Sequence, residues 1–123
     1  MKKVKITPVP KPRMTKSDRW KKRPCVVKYW DFKEELLYLF REQDINIDKE
    51  LYIEFHLPMA KSWSKKKKEK MNTDFHNQKP DIDNLIKAVL DALMSEDCQV
   101  HTVYARKFWA EEGSIVILDS QEF

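Results

Sequence analysis

The chain has 123 residues, of which 41% are hydrophobic and 36% are charged, and its net charge is +4. This length and apolar content suit one domain with one core, and no apolar run reaches the roughly 18–20 residues that a membrane span requires. The chain contains a single glycine, so we expect no glycine-rich phosphate loop and no nucleotide cofactor of the kind that such loops bind.

Charge is distributed unevenly along the chain. Residues 1–30 contain eleven Lys or Arg and one acid, and residues 61–79 contain seven Lys and two acids, whereas residues 81–99 contain five acids and one Lys. A basic surface around an acidic region is typical of a protein that holds a polyanion broadly and neutralises it with metal at one place. A solvated, highly charged surface would explain the lysines but not the acidic cluster.

The N-terminal third predicts a strand, a basic loop and a helix. Alternation of apolar and polar residues predicts a strand over residues 4–9, which prolines end. The loop 11–24 places basic residues around Trp20, as in contacts with phosphates and bases, although a solvated loop would have the same composition. The residues of this loop that we predict to bind DNA are Lys11, Arg13, Lys16 and Arg19. Apolar residues at helical spacing predict a helix over residues 27–43.

The middle of the chain predicts a strand followed by a second basic segment. Apolar residues alternate over residues 51–59, which indicates a strand with one buried face. Residues 60–79 are basic and are predicted to form a mobile loop or a short exposed helix that orders on DNA, with a solvated charge run as the alternative. The residues of this segment that we predict to bind DNA are Lys65, Lys66, Lys67 and Lys68.

The C-terminal third predicts a buried helix and a hairpin. Apolar residues cover most of the circumference of a helix over residues 82–94. Residues 99–109 alternate as a strand, residues 111–114 form a turn, and residues 115–118 are predicted to close an antiparallel hairpin. We see no internal repeat and no second domain, so residues 1–123 are interpreted as a single domain.

An acidic pair marks the start of the buried helix. Asp81 and Asp83 stand one residue apart after Pro80, which favours extended backbone before the helix, and Lys87 follows one turn later. Both carboxylates can therefore turn towards one site, and oxygen ligands of this kind are those that Mg²⁺ prefers. The structural alternatives are a helix cap, worth about 1 kcal/mol, and a salt bridge from Lys87 to Asp83 or Asp91 on the same stripe.

A third carboxylate has to come from elsewhere, and Glu96–Asp97 follows the helix directly. A helix of about twelve residues is about 18 Å long, so this pair and the first pair lie near opposite ends of a straight helix. They meet within one subunit only if the helix is shorter; otherwise the site is completed across a dimer interface. The structural alternative for Glu96 and Asp97 is a polar turn.

These residues resemble the signature of the RusA-type Holliday junction resolvases: Asp81-Ile82-Asp83-Asn84, then Lys87, then Glu96-Asp97-Cys98-Gln99-Val100. The resemblance implies that Asp81, Asp83 and Asp97 bind metal and that Lys87 is a catalytic lysine beside them. Two departures stand out. Glu96 replaces an aspartate of the family pattern, and the stretch over residues 93–96 is shorter than is common in the family.

The resemblance also implies an overall fold and an activity. We expect an α+β fold, with a mixed β-sheet packed by two helices, and a homodimer that cuts two strands of branched DNA, a four-way junction, with Mg²⁺ as cofactor. Such an enzyme serves DNA recombination and repair in the cytoplasm of a bacterial or phage-infected cell, and no apolar stretch follows the basic N-terminus to indicate a signal peptide. Two other functions fit the residues: a nucleic-acid-binding module without catalysis, and a nuclease of broader flap or nick specificity.

Overall fold

A computed structural model of the chain describes residues 1–122, and the side chains of all of these residues except Arg19 and Asp97. In chain order the regular elements are strand β1 (Lys2–Val4), helix α1 (Pro24–Glu42), strand β2 (Glu50–Pro58), helix α2 (Lys65–Met71), helix α3 (Ile82–Leu93), strand β3 (Thr102–Ala110) and strand β4 (Ser114–Leu118). The predicted α+β class is therefore confirmed. Over residues 1–122, no helix combines the length and the apolar character needed to cross a membrane.

The four strands form one mixed sheet in the order β1-β4-β2-β3. Strand β2 pairs in parallel with β3 and antiparallel with β4, and β1 pairs antiparallel with β4. The predicted hairpin of the last two strands is wrong, because β2 lies between them. Strand β2 has the longest apolar alternation, and its Leu51, Ile53, Phe55 and Leu57 are at most 5% exposed, which suits the position with a neighbour on each edge.

The connection from β3 to β4 passes the end of β2. It has to span two strand spacings, about 10 Å, which three residues of extended chain can cover. Gly113 lies against the N-terminal segment, where a Cβ atom would approach the Cα of Thr7 to 2.6 Å. The single glycine of the chain therefore stands where the crossing connection passes too close to Thr7 for a side chain to fit.

Helices α1 and α3 pack against each other and cover one face of the sheet, so the predicted packing by two helices is confirmed. Helix α1 contributes Tyr29, Phe32, Leu36 and Phe40 to the core. Helix α3 contributes Leu85, Ala88 and Val89, which are at most 1% exposed. This burial fixes the rotation of α3 and leaves its opposite stripe to solvent.

Two predicted boundaries at the N-terminus are wrong. The first strand covers Lys2–Val4 rather than residues 4–9, because β4 pairs only with those three residues and Pro8 and Pro10 have no N–H to extend a ladder. Helix α1 begins three residues before the predicted start, at Pro24, where the fixed φ of proline suits the first helical turn.

The basic segment between β2 and α3 is a short helix and an edge segment. Helix α2 begins after Ser64, whose hydroxyl accepts a hydrogen bond from the backbone N–H of Lys67, and it buries none of its residues. Residues 73–76 then run along the outer edge of β3, where backbone hydrogen bonds join Thr73 and Asp74 to Trp109, and His76 to Lys107. This edge segment carries the chain to the start of α3.

Candidate active site

The acidic pair stands at the start of α3, as the sequence predicted. Asp81 is the residue before the first helical turn, with extended backbone angles (φ −68°, ψ 141°), and Asp83 lies within that turn. The buried side of α3 faces the sheet through Leu85 and Val89, so Asp83 and Lys87, four residues apart, share the solvent side. Asp81, Asp83 and Lys87 are all exposed.

Among the described side chains, these three form no hydrogen bond and no ion pair. Asp81 occupies the capping position, but its carboxylate accepts no hydrogen bond from the helix. Within residues 1–122, outside the side chains of Arg19 and Asp97, neither Asp83 nor Lys87 forms a hydrogen bond or an ion pair through its side chain. The two structural alternatives, a capping hydrogen bond and a salt bridge from Lys87 along the helix, are therefore absent from this part of the chain.

Asp91, two turns beyond Asp83 on the same stripe, has two partners in the fold. Its carboxylate accepts a hydrogen bond of 2.7 Å from the Tyr29 hydroxyl and forms a 2.7 Å ion pair with Lys11. Burial raises the pKa of Asp91, but the bonds from Lys11 and Tyr29 outweigh burial and hold that pKa below its ordinary value. Asp91 thus fastens α1 and the N-terminal segment to α3.

The N-terminal basic loop lies beside the acidic pair. The backbone N–H of Lys11 donates to the carbonyl of Asn84 at 3.0 Å, which brings the loop to the first turn of α3. An open cavity of about 490 Å³ results, and the residues that line it are Pro10, Lys11, Pro12, Arg13, Lys79, Pro80, Asp81 and Asn84. Three basic residues, Lys11, Arg13 and Lys79, therefore line the same open cleft as Asp81, which suits a polyanion.

The rest of this loop is held by Asp18. Arg23 donates to both carboxylate oxygens of Asp18 at 2.8 Å and to the carbonyl of Arg13 at 2.9 Å. These bonds from Arg23, together with the backbone N–H of Thr15, hold the pKa of Asp18 well below its usual range. Of the residues predicted to bind DNA here, Lys11 is paired with Asp91, Arg13 and Lys16 are exposed, and the side chain of Arg19 lies outside the described residues.

The four lysines of α2 differ in their surroundings. Lys65 and Lys66 are exposed, whereas the ammonium of Lys67 lies 4.1 Å from the centre of the Trp63 ring and Lys68 is half-buried. Trp63 in turn packs on Trp109, with ring centres 4.7 Å apart. This stack joins α2 to β3, so Lys65 and Lys66 are presented to solvent from an anchored helix.

The side chain of the third predicted carboxylate, Asp97, lies outside the described residues, and its backbone lies in a short 3-10 turn over Asp97–Gln99. Helix α3 has twelve residues, about 18 Å, between the acidic pair and this turn. Strand β3 gives a second estimate of the distance between this turn and the acidic pair. Its first residue, Thr102, follows the turn, and five residues, about 17 Å, separate Thr102 from Lys107, which bonds to the Pro80 carbonyl next to Asp81. Among the described side chains, no three acids, histidines or cysteines group into a metal site.

Sequence reasoning missed Asn84 and Lys79 as cleft residues and Lys107 as a contact of the acidic end. Asn84 directly follows the Asp-x-Asp pattern and Lys79 stands two positions before it, so proximity alone was the available signal. Lys107 had a sharper signal, since it is the charged residue among the β3 positions Val103, Ala105 and Trp109 that share its face.

No curated protein matches the chain. Residues 5–118, nearly the whole sequence, match the family described as endodeoxyribonuclease RusA. This match includes the acidic pair, Lys87, the N-terminal loop and every strand of the sheet except the first. The chain therefore belongs to the RusA endodeoxyribonuclease family.

Proposed function

We propose that this protein is a Mg²⁺-dependent endonuclease that resolves four-way DNA junctions by paired phosphodiester hydrolysis, acting as a homodimer in recombination and repair in the cytoplasm of a bacterial or phage-infected cell. The observation that carries the proposal is a group of three exposed side chains at the start of α3, beside a cleft lined with cations: Asp81, Asp83 and Lys87, which form no hydrogen bond or ion pair with the described side chains. Charged groups that contribute no contact to the fold are available to a metal and a phosphate.

The donor set at this place fits Mg²⁺. This ion is commonly held by one or two carboxylates, by several waters and by substrate phosphates, so it does not require a closed cage of protein ligands. Asp81 and Asp83 supply two exposed carboxylates without competing partners in the described chain. Bound here, Mg²⁺ would lower the pKa of a bound water and offset the charge that develops on the scissile phosphate.

The basic residues have two roles in this proposal. Lys87 lies one turn from Asp83, and its exposed ammonium can hold a non-bridging phosphate oxygen as negative charge builds there. Arg13 and Lys79, on the walls of the cleft, hold the flanking backbone and fix the register of the strand. Non-specific binding and orientation thus come from the cleft, and hydrolysis from the start of α3.

Dimerisation would solve the problem of the third carboxylate. Helix α3 ends at Leu93, one residue before the predicted end, so about 15 Å of helix stands between Asp83 and the segment that leads to the turn containing Asp97. A two-fold axis brings residue i of one subunit to residue j of the other and the reverse, so each site can take its acidic pair from one subunit and Asp97 from its partner. Two such sites also suit the paired nicks that resolution of a junction requires.

The substrate class is tested by comparing a synthetic four-way junction, a flap and a linear duplex of matched sequence. We expect paired cuts in the junction with Mg²⁺, none with EDTA, and much slower cutting of the other two substrates. Equal cutting of the flap would support the broader nuclease, and binding without cutting in Mg²⁺ would support the non-catalytic module.

The shared site is tested by mixing two inactive variants, Asp83→Asn and Asp97→Asn. If the acids come from different subunits, a mixed dimer keeps one intact site, and random mixing restores roughly a quarter of all sites as single nicks. If both acids come from one subunit, every site in the mixture carries a substitution and no cutting returns.

A further inference from the structure

Lys107 occupies a partly buried position on an apolar face of the sheet. It pairs with Phe55 in the parallel ladder of β2 and β3, and Phe55 is fully buried. The neighbouring positions of the same face pair Ala105 with Ile53 and Trp109 with Leu57, so Lys107 projects on the side of the sheet that the helices cover. Burying an ammonium group disfavours the charged form unless partners compensate for the lost water.

The compensation comes from the segment that leads into α3. The Lys107 ammonium donates to the carbonyl of Gln78 at 2.7 Å and to the carbonyl of Pro80 at 2.8 Å. Burial lowers the pKa of Lys107, and the nearby Asp81 charge opposes that effect. Two of the three donors of the ammonium are thus used on main-chain carbonyls.

These two bonds are what fixes the residues before Asp81. Within the described part of the chain, residues 77–80 take part in no other hydrogen bond. The backbone bonds of the edge segment end at His76, and those of α3 begin at Asp81. Pro80 accepts the second bond and is directly joined to Asp81. The backbone that leads into Asp81 is therefore held by a side chain that comes from β3, 26 residues later in the chain.

We propose that Lys107 is a positioning residue of the active site, which anchors Gln78 and Pro80 so that Asp81 faces the same site as Asp83. This inference rests on the proposed function, because it assigns the acidic pair to a metal. It differs from the role of Lys87, whose ammonium contacts no part of the described fold and is directed to solvent. Lys107 acts through Asp81, not on the substrate.

The test is metal binding by the full-length protein, measured with Mn²⁺ by electron paramagnetic resonance without DNA. In Lys107→Met we expect Mn²⁺ affinity to fall about 10- to 100-fold, the usual result of removing a group that orients a ligating carboxylate. The Mg²⁺ concentration for half-maximal cutting should rise in parallel, while junction binding in EDTA stays within about twofold of wild type because the cleft cations are intact. Lys107→Arg, which keeps the charge and the donors, should restore Mn²⁺ affinity to within about threefold.

The control is Lys49→Met, which removes an exposed lysine before β2, at the other end of the sheet. Unchanged Mn²⁺ affinity in Lys107→Met, or a loss of junction binding in EDTA as large as the loss of cutting, would overturn the inference. If Lys107→Met does not fold, Lys107→Gln gives the same comparison, since its amide can still donate to one carbonyl but carries no charge. Asp81→Asn separates the two proposals: if it binds Mn²⁺ like wild type, the proposed metal site itself is wrong, whatever Lys107 does.

Discussion

Asp83 and Asp91 lie two turns apart on one stripe of α3, and they differ in what surrounds them. Asp91 holds Lys11 and Tyr29, so its negative charge is part of the packing of three segments. Asp83 is exposed and gains little beyond its interaction with the helix dipole, about 0.3–1 kcal/mol at the first turn. The same residue type on the same helix therefore serves the fold at one end and remains available for chemistry at the other.

The largest expected effect is on cutting, at the unpartnered end. Asp81→Asn and Asp83→Asn each remove a charge that metal catalysis uses, worth several kcal/mol in the transition state. Since about 1.4 kcal/mol corresponds to a factor of ten, single-turnover cutting of a four-way junction should fall at least about 100-fold, with junction binding retained. Asp31→Asn, an exposed acid on α1, is the matched control and should cut normally. Normal cutting by both Asp81→Asn and Asp83→Asn would show that neither acid takes part in catalysis.

The second effect is on stability, where substitution of Asp91 should cost more than substitution of Asp83. Asp91→Asn removes the charge that holds Lys11 and weakens the bond to Tyr29, so the free energy of unfolding should fall by about 1–2 kcal/mol. Asp83→Asn should lose only the contribution of the helix dipole, at most about 1 kcal/mol. Urea denaturation measures both, and equal losses would remove the distinction between the two ends of the helix.

Asp18, like Asp91, has partners within the fold, since it accepts hydrogen bonds from Arg23 and from the backbone of Thr15. Its contribution to stability should therefore be lost in acid. Because the folded-state pKa of Asp18 lies below its ordinary value of 3.8, its contribution to stability is complete above about pH 4 and is lost as pH falls through the folded-state pKa. Thermal denaturation between pH 7 and pH 2 should show a steeper acid loss for wild type than for Asp18→Asn. Parallel curves would mean that the Arg23 contact does not stabilise the basic loop.

The smallest effect concerns the lysines of α2. Lys65→Gln with Lys66→Gln should reduce the slope of log affinity against log salt by up to about 2, roughly one per lost phosphate contact. Lys67→Gln should change the slope less, because this ammonium already lies on Trp63. Arg41→Gln with Lys49→Gln, exposed cations away from α2, is the matched control, and an equal slope in all the variants would exclude α2 from the DNA contact.

The sequence predicted local structure well where one segment determines its own form. The apolar stripe of α3 placed the helix and the acidic pair at its start, and the alternation of β2 located that strand within one residue at each end. Both patterns arise from residues that are close in the chain. The resemblance of the motif to one family then identified the fold class before any long-range contact was known.

Long-range pairing was beyond the same reasoning. The predicted hairpin failed because β2 competes for the edge that β3 and β4 would otherwise share, and no property of residues 99–118 alone reveals that competitor. Lys11 illustrates the same point, since it was selected for DNA as one of many basic residues, while its ion pair with Asp91 depends on how the N-terminal segment crosses α3. The role of Asp97 stays a prediction, which the mixing experiment tests.

The sheet order has a consequence for how the protein is made. Strand β4 leaves the ribosome after the other three strands, yet it fills the gap between β1 and β2, so β1 has no neighbour in the sheet and β2 has one bare edge until β4 has been made. Contacts between segments so far apart in the chain form slowly, because the entropy of closing the intervening loop has to be overcome first. A bare, apolar strand edge is a template for pairing with another chain. Aggregation during folding is therefore the particular hazard of this topology, and substitutions that slow the docking of β4 should lower soluble yield before they lower the stability of the finished protein.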